Sequence, residues 1–456
     1  MRSRSLLPLL LAVSPLLSQA LVPERLAQLE AACPQDAPFR ALRNALAQND
    51  GRKLAQDWGR TSQVDPHFTK RLPDEPVADQ KASGRCWMFS GLNFFRRTAA
   101  TRLGCESLEF SQNYLFFYDK LEKANLFLEA IDQCRDKPTT DRRVEMLLST
   151  PVQEGGNWQG FVDLVKKYGV VPKAVMPETF SSSNSSAMNQ VLALRLQVAG
   201  LRIRAAKDPT EVAAIKLQAL KDVYRILAMH LGVPPVRFSW RFEAKDHKLT
   251  PLKAWTPQEF WRDAVGETLD DYVAIYSIPT LPFLRKFSID LDRARVDAPD
   301  MTFVNCPLET LKDAARQCLL ADKPVWFGAD VSQDMISDEA LMMPAARDYA
   351  SLYGMDFTMD RKGLFETRRS TPNHNMVFTG VDIRDGKPVK WLVENSWGDR
   401  GGKKGYYTMM DGWFDSFVQV VVVPKAFVPK AVLDAFGTTA EVLPPWDPMM
   451  KALTVE

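Results

Sequence analysis

The chain has 456 residues, a formal net charge of +2, and ordinary shares of apolar (46%) and charged (25%) residues. That length can hold two or three domains, and the balanced charge, with no basic stripe of interleaved aromatics, points away from nucleic acid. There is no Gly-rich phosphate loop, no C-x-x-C spacing among the six cysteines and no zinc-type pair among the four histidines, so no cofactor or metal is expected.

Met1 to Ser5 is short and basic, Leu6 to Leu17 is mostly apolar, and Ser18-Gln19-Ala20 has the small-x-small form of a cleavage site. Residues 1–20 therefore read as a signal or targeting peptide, too short for a membrane span, which needs about 20 apolar residues. The expected destination is secretion or the periplasm, with an organelle or an uncleaved cytoplasmic extension as alternatives, and no membrane association of the mature form. If Cys86 is free, five cysteines remain, an odd number that cannot all pair within one chain. The count fits a reduced-thiol protein better than a disulfide scaffold.

The run Gln80-Lys81-Ala82-Ser83-Gly84-Arg85-Cys86-Trp87 carries the first chemistry. Ser83 to Arg85 reads as a turn. Trp87 through Arg97 reads as a helix, with Phe89, Leu92 and Phe95 at helical spacing. A thiol over the N–H groups of a helix start, near an imidazolium, can have its pKa lowered to roughly 3.5–7.5. Gln80 on the incoming loop can bring its side-chain amide to a substrate carbonyl oxygen, with the Cys86 N–H as second donor. A lone buried cysteine is usually only a small hydrophobe, so its companions decide the reading.

Gly155-Gly156-Asn157-Trp158 precedes a helix ending at Lys167-Tyr168-Gly169, and Ser181 to Ser186 reads as a polar linker. Asp208-Pro209-Thr210-Glu211 predicts a helix start. Val212, Ile215, Ala219, Val223, Leu227 and Leu231 follow as an apolar stripe that Gly232 and Pro234 end. Strong β signals resume at Pro324 to Gly328, then at Met376–Ile383, Lys390–Glu394, Gly405–Met409 and Phe417–Val423. His374 stands before the first of this last group of strands, and Asn395-Ser396-Trp397-Gly398 follows the second. His374 suits a base, Asn395 a group that orients it, and Trp397 a cover over their hydrogen bond. Each taken alone fits a core or turn role; together they fit several mechanistic roles at once.

The motifs Gly84-Arg85-Cys86-Trp87, Ser111 to Phe117, Tyr168 to Pro172, Val393 to Gly398 and Pro445-Trp446-Asp447-Pro448-Met449 resemble the bleomycin hydrolase and aminopeptidase C family of papain-like cysteine peptidases, from about Leu21 to the end. Ser83 stands where secreted papain-like relatives commonly have a cysteine, and Arg85 where they have a small residue. The resemblance implies an α+β, papain-like two-lobed fold, with a helical lobe over 21–180 and a β-rich lobe over 301–435. His374 lies 288 positions after Cys86, against roughly 130–150 in the simple pattern. The excess is placed mainly in a mostly helical insertion, 181–300, read partly as local core and partly as an arm that helps assemble a homohexamer. The resemblance also implies peptide substrates, with bleomycin-like amides as a further class, cleaved through a thioester. Cys86, His374, Asn395 and Gln80 would be catalytic, with Gly155, Gly156 and Trp397 binding substrate. The tail 436–456 would enter the cleft and impose aminopeptidase geometry. The rival readings are an endopeptidase of the same fold and a non-catalytic oligomeric binding protein.

Overall fold

The computed structural model describes residues 21–449; the expectations for the leader and for the last residues of the tail lie outside the described residues. The chain forms two compact units. One comprises the residues up to Gln56 with Arg347–Phe357. Its helices Pro23–Ala32, Ala37–Leu46 and Gly51–Leu54 are joined by turns in which Asp36 and Asp50 cap the helices that follow, and Tyr349, Tyr353 and Phe357 cluster. The other unit, Asp57–Ala346 and Thr358 onward, carries the chemistry.

That unit is α+β. Its helices that matter here are α1 (Cys86–Leu103), α2 (Gln112–Gln133), α3 (Trp158–Tyr168), α4 (Ser186–Ala205), α5 (Pro209–Leu231) and α6 (Pro257–Ala264). Strands β1 (Tyr272–Tyr276), β2 (Arg285–Ile289) and β3 (Thr302–Asn305) precede helix α7 (Leu308–Leu320). Then come β4 (Val325–Ala329), β5 (His374–Arg384), β6 (Lys387–Glu394), β7 (Tyr406–Met410), β8 (Val418–Pro424) and β9 (Glu441–Leu443). The sheet runs β9-β2-β3-β1-β8-β4-β5-β6-β7, extended by the short strands Leu341–Met342 and Met335–Ile336. It is mixed: β4, β5 and β6 are antiparallel neighbours, while β1 and β3 run parallel.

Strand alternation builds two cores from one sheet. Trp326, Val420 and Val422 face the helices, among Phe95, Trp158 and Phe161. Phe327, Val421 and Val423 face the other way, with α7 and Trp413. Such burial stabilises by roughly 25 cal/mol per Å² of apolar surface.

Helix α5 begins and ends where its caps dictate: Asp208 accepts from the Glu211 N–H at 2.9 Å, Pro209 opens the first turn, and Gly232 stops it at φ +86°. All of its predicted stripe is buried except Ile215, which is partly so. The segment 181–300 is helical to Leu231; beyond that it forms a hairpin (Phe238–Trp240 with Lys253–Trp255), α6, and strands β1 and β2 of the main sheet. The serine run is not a linker. Thr179 and Ser182 form a capping box around the short helix Phe180–Ser183, and Ser182 and Ser185 are buried. Serine hydroxyls that cap and turn the backbone carry the same composition as a solvated tether. Here the run holds the loop before Cys86, with Ala82 N–H donating to Ser183 O (3.0 Å) and Ser185 N–H to Ala82 O (3.3 Å).

Candidate active site

Cys86 is the first residue of α1, so its own N–H and that of Trp87 lie in the first turn, where N–H groups have no intrahelical partner. The loop before it is fixed at several points. Gly84 N–H donates to Glu154 Oε2 at 2.5 Å. Arg85, fully buried, makes two hydrogen bonds to Glu178 (3.0 and 2.7 Å) and one to Ser83 Oγ (2.9 Å). Its guanidinium lies 5.0 Å from the rings of both Phe89 and Phe116. Gln80 is held from both ends: Ser396 Oγ donates to its Oε1 at 2.6 Å, and its Nε2 donates to Ser83 O at 2.8 Å. One hydrogen of that amide is left over.

The antiparallel pairing of β5 with β6, with Val377 opposite Glu394, brings the start of one strand to the end of the other. His374 Nε2 lies 2.8 Å from Asn395 Oδ1. Ser396 N–H donates to the same oxygen at 2.7 Å, which fixes the amide orientation and so makes Nε2 the protonated nitrogen of a neutral ring. Nδ1 is then free to accept a proton. The Trp397 ring is 4.9 Å from the imidazole, tilted by 33°.

Asn375, to which the sequence reading gave no role, donates from Nδ2 to Cys86 Sγ at 3.7 Å. It pairs with Gly328 and shares a sheet face with Trp326, the face that packs on the helices, so the pleat directs it at α1. A Cβ at residue 328 would meet Asn375 Oδ1 at 2.8 Å, so the glycine makes the room. The signal was present in the alternation of β5 about His374. Ser396, Glu154 and Glu178 were also missed, and nothing local marks them.

The expected low thiol pKa meets an opposing force. Burial pushes the Cys86 thiol up, and the Asn375 side chain and nearby backbone N–H groups only partly offset this. Burial likewise pushes His374 down to about 4, opposed by the Asn395 bond. Burial thus works against the thiolate that the helix start favours: the helix start is visible in the sequence, the desolvation is not. Removing Asn375 should raise the thiol further, because the donor favours the charged form. Asn375→Ala should leave less thiolate at neutral pH, and the rate of Cys86 alkylation by iodoacetamide should shift to higher pH; an unshifted profile would show that Asn375 does not act on the sulfur.

Gly155 and Gly156 lie against this helix start. Trp87 Nε1 donates to Glu154 O at 2.9 Å, Lys123 Nζ donates to Gly155 O at 2.6 Å, and a Cβ on Gly156 would meet the Trp87 ring at 2.4 Å. None of the six cysteines is in a disulfide, and no group of three or more potential ligands suited to a metal occurs among the described residues. No helix among them is long and apolar enough to cross a membrane.

A profile described as the peptidase C1-like family matches residues 20–450. Aminopeptidase C of Streptococcus thermophilus is 38% identical over 421 residues, 91% of this chain and 95% of that protein. Aminopeptidase C of Lactobacillus delbrueckii subsp. lactis is 38% identical, covering 89% and 92%. A crystal structure of pepw from Lactobacillus rhamnosis HN001 superposes with a TM-score of 0.91 at 36% identity, covering 95% of this chain and 99% of that one. The chain belongs to the peptidase C1-like family of papain-like cysteine peptidases. Within it, the chain falls with the aminopeptidase C relatives and is a cysteine-type aminopeptidase.

Proposed function

We propose that Cys86 is the nucleophile, His374 the general acid and base, Asn395 the residue that orients His374, and Gln80 an oxyanion donor. The observation that carries this is the His374–Asn395 bond, which leaves Nδ1 as the acceptor beside a helix that begins with Cys86. As Sγ attacks the peptide carbonyl carbon, the thiol proton passes to Nδ1. The oxyanion takes the Cys86 N–H and the remaining hydrogen of Gln80 Nε2. The tetrahedral intermediate collapses as His374 protonates the leaving amine, giving a thioester; His374 then activates a water that hydrolyses it. Trp397 shields the imidazole, and the peptide lies along Gly155–Gly156. Gln80→Ala should lower kcat roughly 10²–10³-fold, as for loss of an oxyanion donor, with KM little changed. A pure KM effect would place Gln80 in substrate binding instead.

The finer architecture is a helical lobe facing a β-rich lobe across a cleft, with α4 and α5 as an arm. Exposed Leu194, Leu201, Leu217 and Met229 on that arm support assembly into a homohexamer, which light scattering tests. The tail after Met449 would block the cleft and select a free amino terminus. The test of this function is kcat/KM for one peptide with its amino end free and then blocked: a strong preference for the free form is expected, and equal rates would favour an endopeptidase. For the leader, secretion or the periplasm predicts a mature chain starting near Leu21 by mass spectrometry, and an intact Met1 in the cytosol would overturn it.

A further inference from the structure

A cavity of about 80 Å³ shares Trp87, Gly155 and Gly156 with the site just described. That is several times the roughly 10–15 Å³ one water needs. Much of its wall is apolar, with Phe127, Met146, Leu147 and Leu291 among the residues that line it. At its polar end Lys123 forms an ion pair with Asp119, donating to Oδ2 at 3.0 Å and lying 2.9 Å from Oδ1, and it also donates to the Gly155 carbonyl.

Asp292 is different. It is only 6% exposed, lines the cavity, and forms no ion pair with any described residue. Among the described residues its one side-chain hydrogen bond is from the neutral amide of Asn157 to Oδ1, at 2.8 Å. A buried carboxylate is costly unless a cation or several donors compensate it, and the proposed mechanism makes no use of this one. Burial and nearby Asp300 push the carboxyl up to about 7, against the opposing pull of Lys123.

We propose that this cavity is a binding site for an amphipathic cation, a group with an apolar stem and an ammonium or guanidinium tip, whose tip pairs with Asp292 while the stem lies against the apolar wall. The source is the lysine or arginine side chain of a bound peptide or a free aliphatic amine. The first of these rests on the reading of Gly155–Gly156 as the strand along which substrate lies. A neutral stem of equal length fills the same wall and leaves Asp292 unpaired, so the site discriminates by charge.

The experiment uses the full-length wild-type chain, Asp292→Asn, and Ala130→Met, which narrows the cavity from α2 without touching the carboxylate. Calorimetric titration with 1,5-diaminopentane measures free-amine binding. The kcat/KM ratio for substrates with amino-terminal lysine against norleucine measures side-chain recognition. Loss of a hydrogen-bonded charge should lower amine affinity and the ratio roughly 10- to 100-fold in Asp292→Asn, and Ala130→Met should lower both. A fall in both identifies the peptide side chain as an occupant. Amine binding that needs Asp292, with an unchanged ratio, identifies the free amine alone. No amine binding to the wild type, with an unchanged ratio, overturns the proposal. Alkylation of Cys86 and hydrolysis of an alanine substrate are followed in parallel; their failure in the wild type would count against the proposed mechanism and not against this cavity.

Discussion

Cys86→Ala should abolish peptide hydrolysis while leaving the chain folded. In the proposed mechanism the sulfur forms the bond to substrate, and neither His374 nor Gln80 supplies another nucleophile. In a comparable serine enzyme, removal of the nucleophile costs roughly 10⁶-fold in kcat. The structural cost is small: the residue stays buried, one sulfur is lost beside Asn375, and alanine is the better helix former. Activity on an unblocked peptide and the far-ultraviolet circular dichroism melt are the two measurements. A tenth or more of wild-type activity in a correctly folded variant would refute the cysteine mechanism. A variant that fails to fold would instead contradict the packing argument. His374→Ala should lose activity to a similar degree, since in the proposed mechanism the imidazole oriented by Asn395 takes and returns the proton.

What the sequence shows of this molecule is what neighbours in the chain decide. Asp208, Pro209 and Glu211 mark a helix start because an N-cap needs only its own next turn. The β-branched run Val418 to Val423 reads as a strand because each face of it is buried. Strands β1 to β3 escaped, although Tyr272 to Tyr276 is aromatic and β-branched. Their pairing with each other and with β8 closes loops of up to about 150 residues, and no local signal announces it. The site divides in the same way. Cys86, His374, Asn395 and Gln80 are singled out as candidates by local motifs and their order, while the desolvation of Cys86 and His374, and the grip of Ser396 on Gln80, arise only when distant segments pack.

Glu178→Ala should destabilise the protein by about 3–5 kcal/mol, the cost of removing one partner from a buried ion pair. Arg85 has no exposed side-chain surface, and among the described residues Glu178 is its only carboxylate partner, held in turn by Ser182 Oγ at 2.7 Å. Without it a guanidinium remains enclosed between Phe89 and Phe116, with Ser83 Oγ as its other hydrogen-bond partner. Because Arg85 is the N-cap residue of α1, the loss should reach catalysis as well: the loop from Gln80 to Cys86 loses the anchor that sets both the proposed oxyanion donor and the sulfur. Activity should therefore fall through kcat even where the variant remains folded. The double replacement Arg85→Met with Glu178→Leu separates charge from shape, since an apolar pair of similar volume removes the buried charge altogether. It should recover most of the stability in urea unfolding. The measurement that decides is the midpoint of the single variant: a loss under about 1 kcal/mol, the range of an exposed pair, would mean that solvent reaches Arg85 and that the ion pair does not hold the nucleophile's loop.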